Sequence, residues 1–167
     1  MARAALGSLL FLVVAPGVVA GLVPWALTRW ERDGDPPSAL VVAGVLLVTA
    51  GTGVLLHAFA RFVLEGVGTP APVAPTQRLV IGGLYRHVRN PMYLAVGAII
   101  AGQGLILARP VLGAYLVLFF ATVATFVRFH EEPTLTRRFG ADYEAYRRAV
   151  PGWWPRRQPW SPRDPAA

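Results

Sequence analysis

Between Arg3 and Arg29 lie 25 residues without a formal charge, and no other feature restricts the possible folds of this chain as much. About 20 such residues in α-helix cross the roughly 30 Å of hydrocarbon in a bilayer, so residues 5–28 read as a first membrane span. The alternative is a cleaved signal peptide, since Arg3, an apolar core and Val18-Val19-Ala20 imitate its three regions; against it, the apolar run continues to Leu27 and the leading segment holds one charge. A second uncharged stretch, Ser38 to Ala60, follows the polar turn Arg32-Asp33-Gly34-Asp35-Pro36-Pro37 and is again long enough to span. Met92–Ala108 and Val111–Val127 are 17 residues each, at the lower limit, and meet at Arg109-Pro110. Proline fixes φ, lacks an N–H and disfavours helix in the residue before it, so this junction predicts the turn of a helical hairpin.

The expected fold is therefore an all-α membrane protein of about four transmembrane helices (residues 5–28, 38–60, 92–108 and 111–127), forming one domain over residues 1–167. Composition agrees: 54% of the 167 residues are hydrophobic and the mean hydropathy is +0.48, too apolar for an ordinary soluble domain. All sixteen basic residues are arginine and nine are acidic, giving a net charge of +7. Such an excess suits either nucleic acid or an anionic membrane face, and the apolar runs favour the bilayer as partner and argue against nucleic acid. With no cysteine, disulfides, thiolate zinc sites and lipidation of a cysteine are excluded.

Four spans put both termini on one side, and arginine selects it. Arg3, four arginines in residues 61–91 and eight from Arg128 onward make thirteen, against Arg29, Arg32 and Arg109 on the other side. The thirteen are expected to face the cytoplasm. Residues 66–75 (GVGTPAPVAP) read as a loop able to close over a ligand, residues 133–149 as a cytoplasmic helix, and residues 151–167, with five prolines and three tryptophans, as an extended tail at headgroup level with little fixed structure. No repeat of solenoid period occurs.

Polar residues gather in two places: Tyr85 to Tyr93 before the third span, and Arg128-Phe129-His130-Glu131-Glu132 after the fourth. Antiparallel neighbouring helices would hold these ends about 10 Å apart, where cations and carboxylates from distant sequence could line one cavity. Plainer readings exist for each. The first cluster can be a positive-inside anchor with Tyr85 and Tyr93 in the aromatic belt. Glu131 and Glu132 before Pro133 can be acids favoured at a helix N-terminus, and Arg137, Arg138, Arg147 and Arg148 a solvated face that binds anionic lipid.

His57 lies inside the second span one turn from Arg61, which can pair with Glu65. An ionisable group at that depth is a functional candidate, although a histidine satisfied by a neighbouring helix explains it as well. Histidines 57, 87 and 130 lack metal-site spacing, no H-E-x-x-H is present, and no metal is expected. Neither a G-x-G-x-x-G nor a P-loop occurs, so a sheet-based nucleotide site is not available.

GGLYRHVRNPMYLA (residues 82–95), followed by Gly102, resembles the G-P-Y-R-Y-V-R-H-P-x-Y-x-G segment of the isoprenylcysteine carboxyl methyltransferase and phospholipid methyltransferase superfamily. EEPTLTRRFGADYEAYRRAVPGWWP (residues 131–155) is similar to its second signature, E-E-x-x-L-x-x-x-F-G-x-x-Y-x-x-Y followed by V-P. The resemblance implies S-adenosylmethionine as cofactor, held between the two segments beside a tunnel that admits a lipophilic substrate. By position it implies Arg89, Asn90, Tyr93, Glu131 and Glu132 as cofactor-site residues, with Tyr85, His87 and Gly102 as lesser candidates. Leu84, Ala95 and Asn90 depart from the usual proline, glycine and histidine. Asparagine hydrogen-bonds but is no base near neutral pH, which fits position 90 to binding rather than proton transfer.

Methyl transfer from a sulfonium is an in-line displacement that mainly needs alignment and exclusion of water. A carboxylate or thiolate acceptor needs only positioning, whereas an amine must lose a proton; His57, His87, His130 and Arg61 are positional candidates near such a step. A chain this short leaves no second domain to read a protein substrate, so a small or lipid-like acceptor is expected. The competing readings are an NADPH-dependent sterol-type membrane reductase, whose C-terminal region resembles the same motifs, and a non-catalytic protein that keeps the fold.

Overall fold

The computed structural model describes residues 14–66 and 79–161, and among these residues there are helices and turns but no strand. The helices are α1 (Val14–Thr28), α2 (Ser38–Gly66), α3 (Pro91–Leu107), α4 (Pro110–Phe126), α5 (Glu132–Phe139) and α6 (Ala141–Ala149). Proline begins α3 and α4, where its missing N–H is not needed and its fixed φ already matches the helix. Between these two helices Ala108 takes the left-handed conformation and Arg109 is extended, as the residue before a proline prefers. The loop of residues 66–75 lies outside the described residues apart from Gly66, the last residue of α2.

Two helical runs are long and apolar enough to cross a bilayer: Ser38–Arg61, and Pro110–Phe139, in which α4 continues into α5. At 1.5 Å per residue the 30-residue second run measures about 45 Å. That exceeds the roughly 30 Å of a hydrocarbon core, and the charged residues of the run begin only at Arg128, after the uncharged stretch Val111–Val127. The runs Val14–Thr28 and Pro91–Leu107 are shorter; for the first, the residues before Val14 lie outside those described. Leu46 (64% exposed) and Val117 (71%) stand on the outer faces of α2 and α4, positions a water-soluble bundle would cover and a lipid-facing one leaves open.

The tightest packing joins α2 to α3. A Cβ placed on Gly102 would fall 2.6 Å from the Gly44 carbonyl oxygen, and one on Gly51 would fall 2.8 Å from that of Ala95. Small residues thus bring the two backbones into contact, the usual means of helix association where no hydrophobic drive exists. Around this crossing Leu55, Phe59, Ala95, Val96, Ile99, Ile100 and Phe119 form the main apolar cluster.

A π-turn, Val18–Leu22, interrupts α1 immediately before Pro24. Pro24 cannot donate to the Ala20 carbonyl four residues back, and the Val23 N–H reaches past Val19 to Val18. The two bypassed carbonyls are met from neighbouring helices: Gln103 Nε2 donates to Ala20 (2.7 Å) and the Tyr115 hydroxyl to Val19 (2.9 Å). At the end of the bundle carrying Arg109, Asp33 N–H donates to the Leu107 carbonyl (2.9 Å) and Arg109 Nε to that of Glu31 (3.0 Å). The α1–α2 and α3–α4 turns are therefore adjacent.

Two expectations for the C-terminal region are corrected. Residues 133–149 do not form one helix, because Gly140 adopts φ 52°, ψ −125°, a conformation open essentially to glycine, and splits the segment into α5 and α6. Residues 151–161 are also not a loose tail. Arg156 N–H donates to the His87 carbonyl (2.9 Å), Trp160 N–H to that of Arg86 (3.0 Å), and the Trp160 ring is buried against Tyr146. A proline-rich segment has few N–H donors and little entropy to lose, and here the Arg156 and Trp160 N–H groups find acceptors in the first motif.

The close α2–α3 approach makes Gly102→Val destabilising by about 1–3 kcal/mol, the usual range for overpacking. Gly53→Ala, with nothing within 4 Å of the added carbon, is expected to be neutral or slightly stabilising. Thermal unfolding of both variants in detergent measures the difference; equal midpoints would show that the backbones do not meet at Gly102.

Candidate functional site

The first motif enters the site as irregular backbone. Gly82 is extended, Gly83–Arg86 forms one 3₁₀ turn, and Asn90 precedes the first turn of α3. Gly83 has φ +56°, and a Cβ on it would lie 2.9 Å from His57 Nε2 and 3.0 Å from Arg61 Nε. Only glycine permits both the conformation and the approach. Tyr85 is buried with Ala58 and Val80, and its carbonyl accepts the Tyr146 hydroxyl at 2.6 Å, so α6 is fastened directly to the first motif.

Arg89 joins the most elements. Its Nη1 donates to Glu132 Oε1 (2.7 Å) and to the Tyr143 hydroxyl (3.1 Å), its Nε to the Val150 carbonyl (2.9 Å), and its backbone N–H to the Pro151 carbonyl (3.0 Å). One side chain thereby links the first motif, the α4–α5 run, α6 and the C-terminal segment.

The two glutamates sit at a second π-turn, Val127–Glu131, again immediately before a proline. Pro133 cannot donate to Phe129, and the Glu132 N–H bonds the Val127 carbonyl five residues back. The run stays helical from Pro110 to Phe139, so Glu131 and Glu132 do not occupy a free helix N-terminus. The extra residue of a π-turn shifts the helical phase, and the carboxylates of two successive residues both find partners across the site. Glu132 faces Arg89, with Arg147 at 3.3 Å and Arg128 at 3.7 Å; Glu131 Oε2 accepts the Tyr93 hydroxyl at 3.1 Å.

Burial pushes the Glu131 carboxyl above the ordinary carboxylate range, the Tyr93 hydrogen bond opposes this, and the charge of Glu132 adds to it. Burial also raises the phenols of Tyr143 and Tyr146, against the pull of Arg89. Both tyrosines stay neutral at physiological pH and can serve as donors as well as acceptors.

Tyr85, Arg89, Asn90, Glu131, Glu132 and Tyr143 line a cavity of about 70 Å³, completed by apolar side chains including Val80 and Leu135. Asn90 is 7% exposed, and its Nδ2 is buried without a hydrogen-bond partner among the described residues. Buried donors are normally satisfied, so an unpaired amide beside a cavity marks a place for an acceptor atom.

The expected site residues thus fall into groups. Tyr85, Arg89, Asn90, Glu131 and Glu132 meet at the cavity, and Tyr93 reaches it through Glu131. The others lie elsewhere: His57 is exposed and, with Arg61, lies on α2 against Gly83. His87 Nδ1 is 2.9 Å from the Arg156 carbonyl oxygen and serves the C-terminal segment. His130 is exposed and stacks on Phe126 with ring centroids 5.0 Å apart. Gly102 belongs to the α2–α3 crossing. No cluster of metal-ligating side chains occurs among the described residues.

Sequence reasoning missed Tyr143, Tyr146, Arg147 and the Val150–Trp153 segment. The two tyrosines, three apart on one face of a helix, were visible in the second motif; the carbonyls of Val150 and Pro151 leave no mark in sequence.

These features define a small helical protein with two helical runs long and apolar enough to cross a membrane and a charged cavity where two separated polar motifs converge. The sequence model of the phospholipid methyltransferase family matches residues 39–142, more than half of the chain, and the protein belongs to that family. It is accordingly a member of a membrane-associated methyltransferase family. No curated protein and no solved structure matches it.

Among the described residues, Glu132 is the carboxylate that Arg89, Arg128 and Arg147 share. Glu132→Gln should therefore leave a poorly compensated guanidinium and cost about 1–3 kcal/mol, whereas Tyr143→Phe, which removes a neutral partner, should cost about 1 kcal/mol. Chemical denaturation in detergent at neutral pH measures both. A Glu132→Gln loss no greater than that of Tyr143→Phe would mean that the ion pair does not hold the site together.

Proposed function

We propose that this protein transfers a methyl group from S-adenosylmethionine to a small or lipid-like acceptor at the cytoplasmic face of the membrane. The observation that carries this reading is the convergence of Arg89 and Asn90 with Glu131 and Glu132 on one cavity in which the Asn90 amide lacks a partner. The donor set fits a zwitterionic nucleoside ligand: guanidinium for a carboxylate, carboxylates for ribose hydroxyls or an ammonium group, an amide for a further acceptor, and tyrosine and leucine side chains for the base. Such a ligand is larger than the cavity, so its binding requires Arg89 and Glu132 to part. Membership of the phospholipid methyltransferase family favours this donor over the NADPH of a sterol-type reductase.

When bound, the sulfonium supplies an activated methyl group and needs no covalent enzyme intermediate. The chain's own task is alignment and exclusion of water. Tyr93, hydrogen-bonded to Glu131, and the apolar wall would hold the acceptor side dry. Carboxylate and thiolate acceptors need nothing further. An amine acceptor must release a proton, and of the titratable groups at the cavity Glu131 has the raised proton affinity suited to receiving it; His57, His87 and His130 all point to other neighbours or to the surface. The arginine asymmetry supports four spans with both termini in the cytoplasm.

Calorimetric titration of the purified protein with S-adenosylhomocysteine tests the reading. Binding should be saturable, absent with NADPH, and weakened about 10- to 150-fold by losing one charge-assisted contact in Glu131→Gln or Arg89→Lys. Thermal unfolding identifies variants that fail by misfolding. Unchanged affinity in both folded variants and in Asn90→Ala would remove the site, and binding with no turnover over lipids, thiols and prenylated cysteines would favour a non-catalytic protein. A reporter fused after Ala167 should score as cytoplasmic; an external score would reverse the orientation.

A further inference from the structure

The C-terminal segment does more than fasten α6. After Val150 and Pro151 give their carbonyls to Arg89, Gly152 passes so near the site that a Cβ on it would fall 3.2 Å from Arg89 Nη2 and 3.5 Å from the unpartnered Asn90 Nδ2. The next residue, Trp153, turns its ring toward the membrane-side helices. Its centroid lies 6.4 Å from that of Tyr93 on α3 and 6.2 Å, edge to face, from that of Phe120 on α4. Phe120 is seven residues before Val127, or about 10 Å deeper along the helix, so a side chain carried by the rim segment reaches into the apolar layer. Trp154, in contrast, is 82% exposed. Tyr93 hydrogen-bonds Glu131 at the cavity, which leaves the half-buried indole between the apolar flank of α3–α4 and the polar site.

We propose that Trp153 is the specificity-determining residue for the acceptor, filling the bilayer-facing side of the site and limiting how much apolar bulk an acceptor can bring beside Tyr93. This rests on the methyltransferase reading above. An acceptor arriving from the lipid must lie against the indole, because Tyr93 and Phe120 already flank it on both helices. The ring is placed by aromatic contacts with Tyr93 and Phe120 and by the segment tied to Arg89, so its size, rather than a hydrogen bond or a charge, sets how much apolar bulk fits beside Tyr93. Trp153 lies beyond the residues matched by the family model, two positions after the Pro151 carbonyl that accepts the Arg89 N–H.

The test uses the full chain in nanodiscs, as wild type and as Trp153→Ala, Trp153→Phe and Trp154→Ala. The acceptor probes are pairs sharing a reacting group: lyso- and diacyl-phosphatidylethanolamine, and farnesyl- and geranylgeranyl-cysteine. For the pair that the wild type turns over, Trp153→Ala should shift the ratio of kcat/KM about tenfold toward the bulkier member, mainly through KM. Trp153→Phe should restore most of the original ratio and Trp154→Ala should leave it unchanged, with S-adenosylhomocysteine affinity within twofold throughout. An unaltered ratio in Trp153→Ala with donor binding intact overturns the proposal and leaves the methyltransferase reading standing. Loss of S-adenosylhomocysteine binding in folded Trp153→Ala assigns the ring to the donor side and also overturns it. A wild type that neither binds S-adenosylhomocysteine nor turns over any probe refutes the underlying reading instead. Should the alanine variant fail to fold, Trp153→Leu takes its place with the same expected direction.

Discussion

The guanidinium of Arg89 is the contact on which the polar half of the molecule depends. It touches the α4–α5 run, α6 and the C-terminal segment together, through Glu132, Tyr143 and the Val150 carbonyl. A planar fork with five N–H donors can serve several acceptors in different directions, which a lysine ammonium on a flexible stem cannot do with the same geometry. Around it the Tyr146 hydroxyl and the Trp160 and Arg156 amides bind the carbonyls of Tyr85, Arg86 and His87. Irregular backbone in the first motif, which would otherwise expose unpaired carbonyls at the edge of a bilayer, is thereby satisfied by α6 and the segment that follows it.

Proline shapes both halves by the same local means. Before Pro24 and before Pro133 the last available N–H reaches back five residues and makes a π-turn. In α1 the released carbonyls are bonded by Gln103 and Tyr115, which docks that helix on α3 and α4. At the end of α4 the π-turn places Glu131 and Glu132 toward different partners, Tyr93 and Arg89. Had the helix stayed regular, Glu131 and Glu132 would still diverge by about 100° around its axis; the inserted residue changes which arc of the helix faces the first motif.

Much of this was legible in sequence because it follows from hydropathy and charge. The uncharged stretches marked the helices that line the bundle, Arg109-Pro110 marked a turn, and the clusters around Arg89 and Glu131-Glu132 pointed to where polar residues gather. The failures share a physical cause. Gly140 was not seen as a break, since a glycine inside a helical pattern can be tolerated and its φ of 52° is set by how α6 must turn to reach Tyr85. The Pro151–Ser161 segment has a composition suited to disorder, and its order comes from carbonyl partners supplied by residues more than 60 positions earlier. Depth singles out His57 and position after a motif singles out Gly102; in the structure the first lies against Gly83 of the first motif and the second against Gly44 at the α2–α3 crossing.

The surplus of cations around Glu132 bears on how a site this closed could admit a ligand under the proposed function. Breaking a buried ion pair is costly when it strands a charge. Here Arg147 and Arg128 stand 3.3 and 3.7 Å from the second oxygen of Glu132, and both are substantially exposed, so they can move toward the carboxylate with solvent still screening them. A ligand carboxylate that draws Arg89 away would leave Glu132 compensated by these two. Arg89 would keep its Nε bond to Val150 and its backbone bond to Pro151, so the exchange concerns only the Nη side of the guanidinium. A pair backed by such substitutes can hold the empty site together and still yield one partner to a ligand, which a single isolated buried pair could do only at the full desolvation cost of the carboxylate left behind.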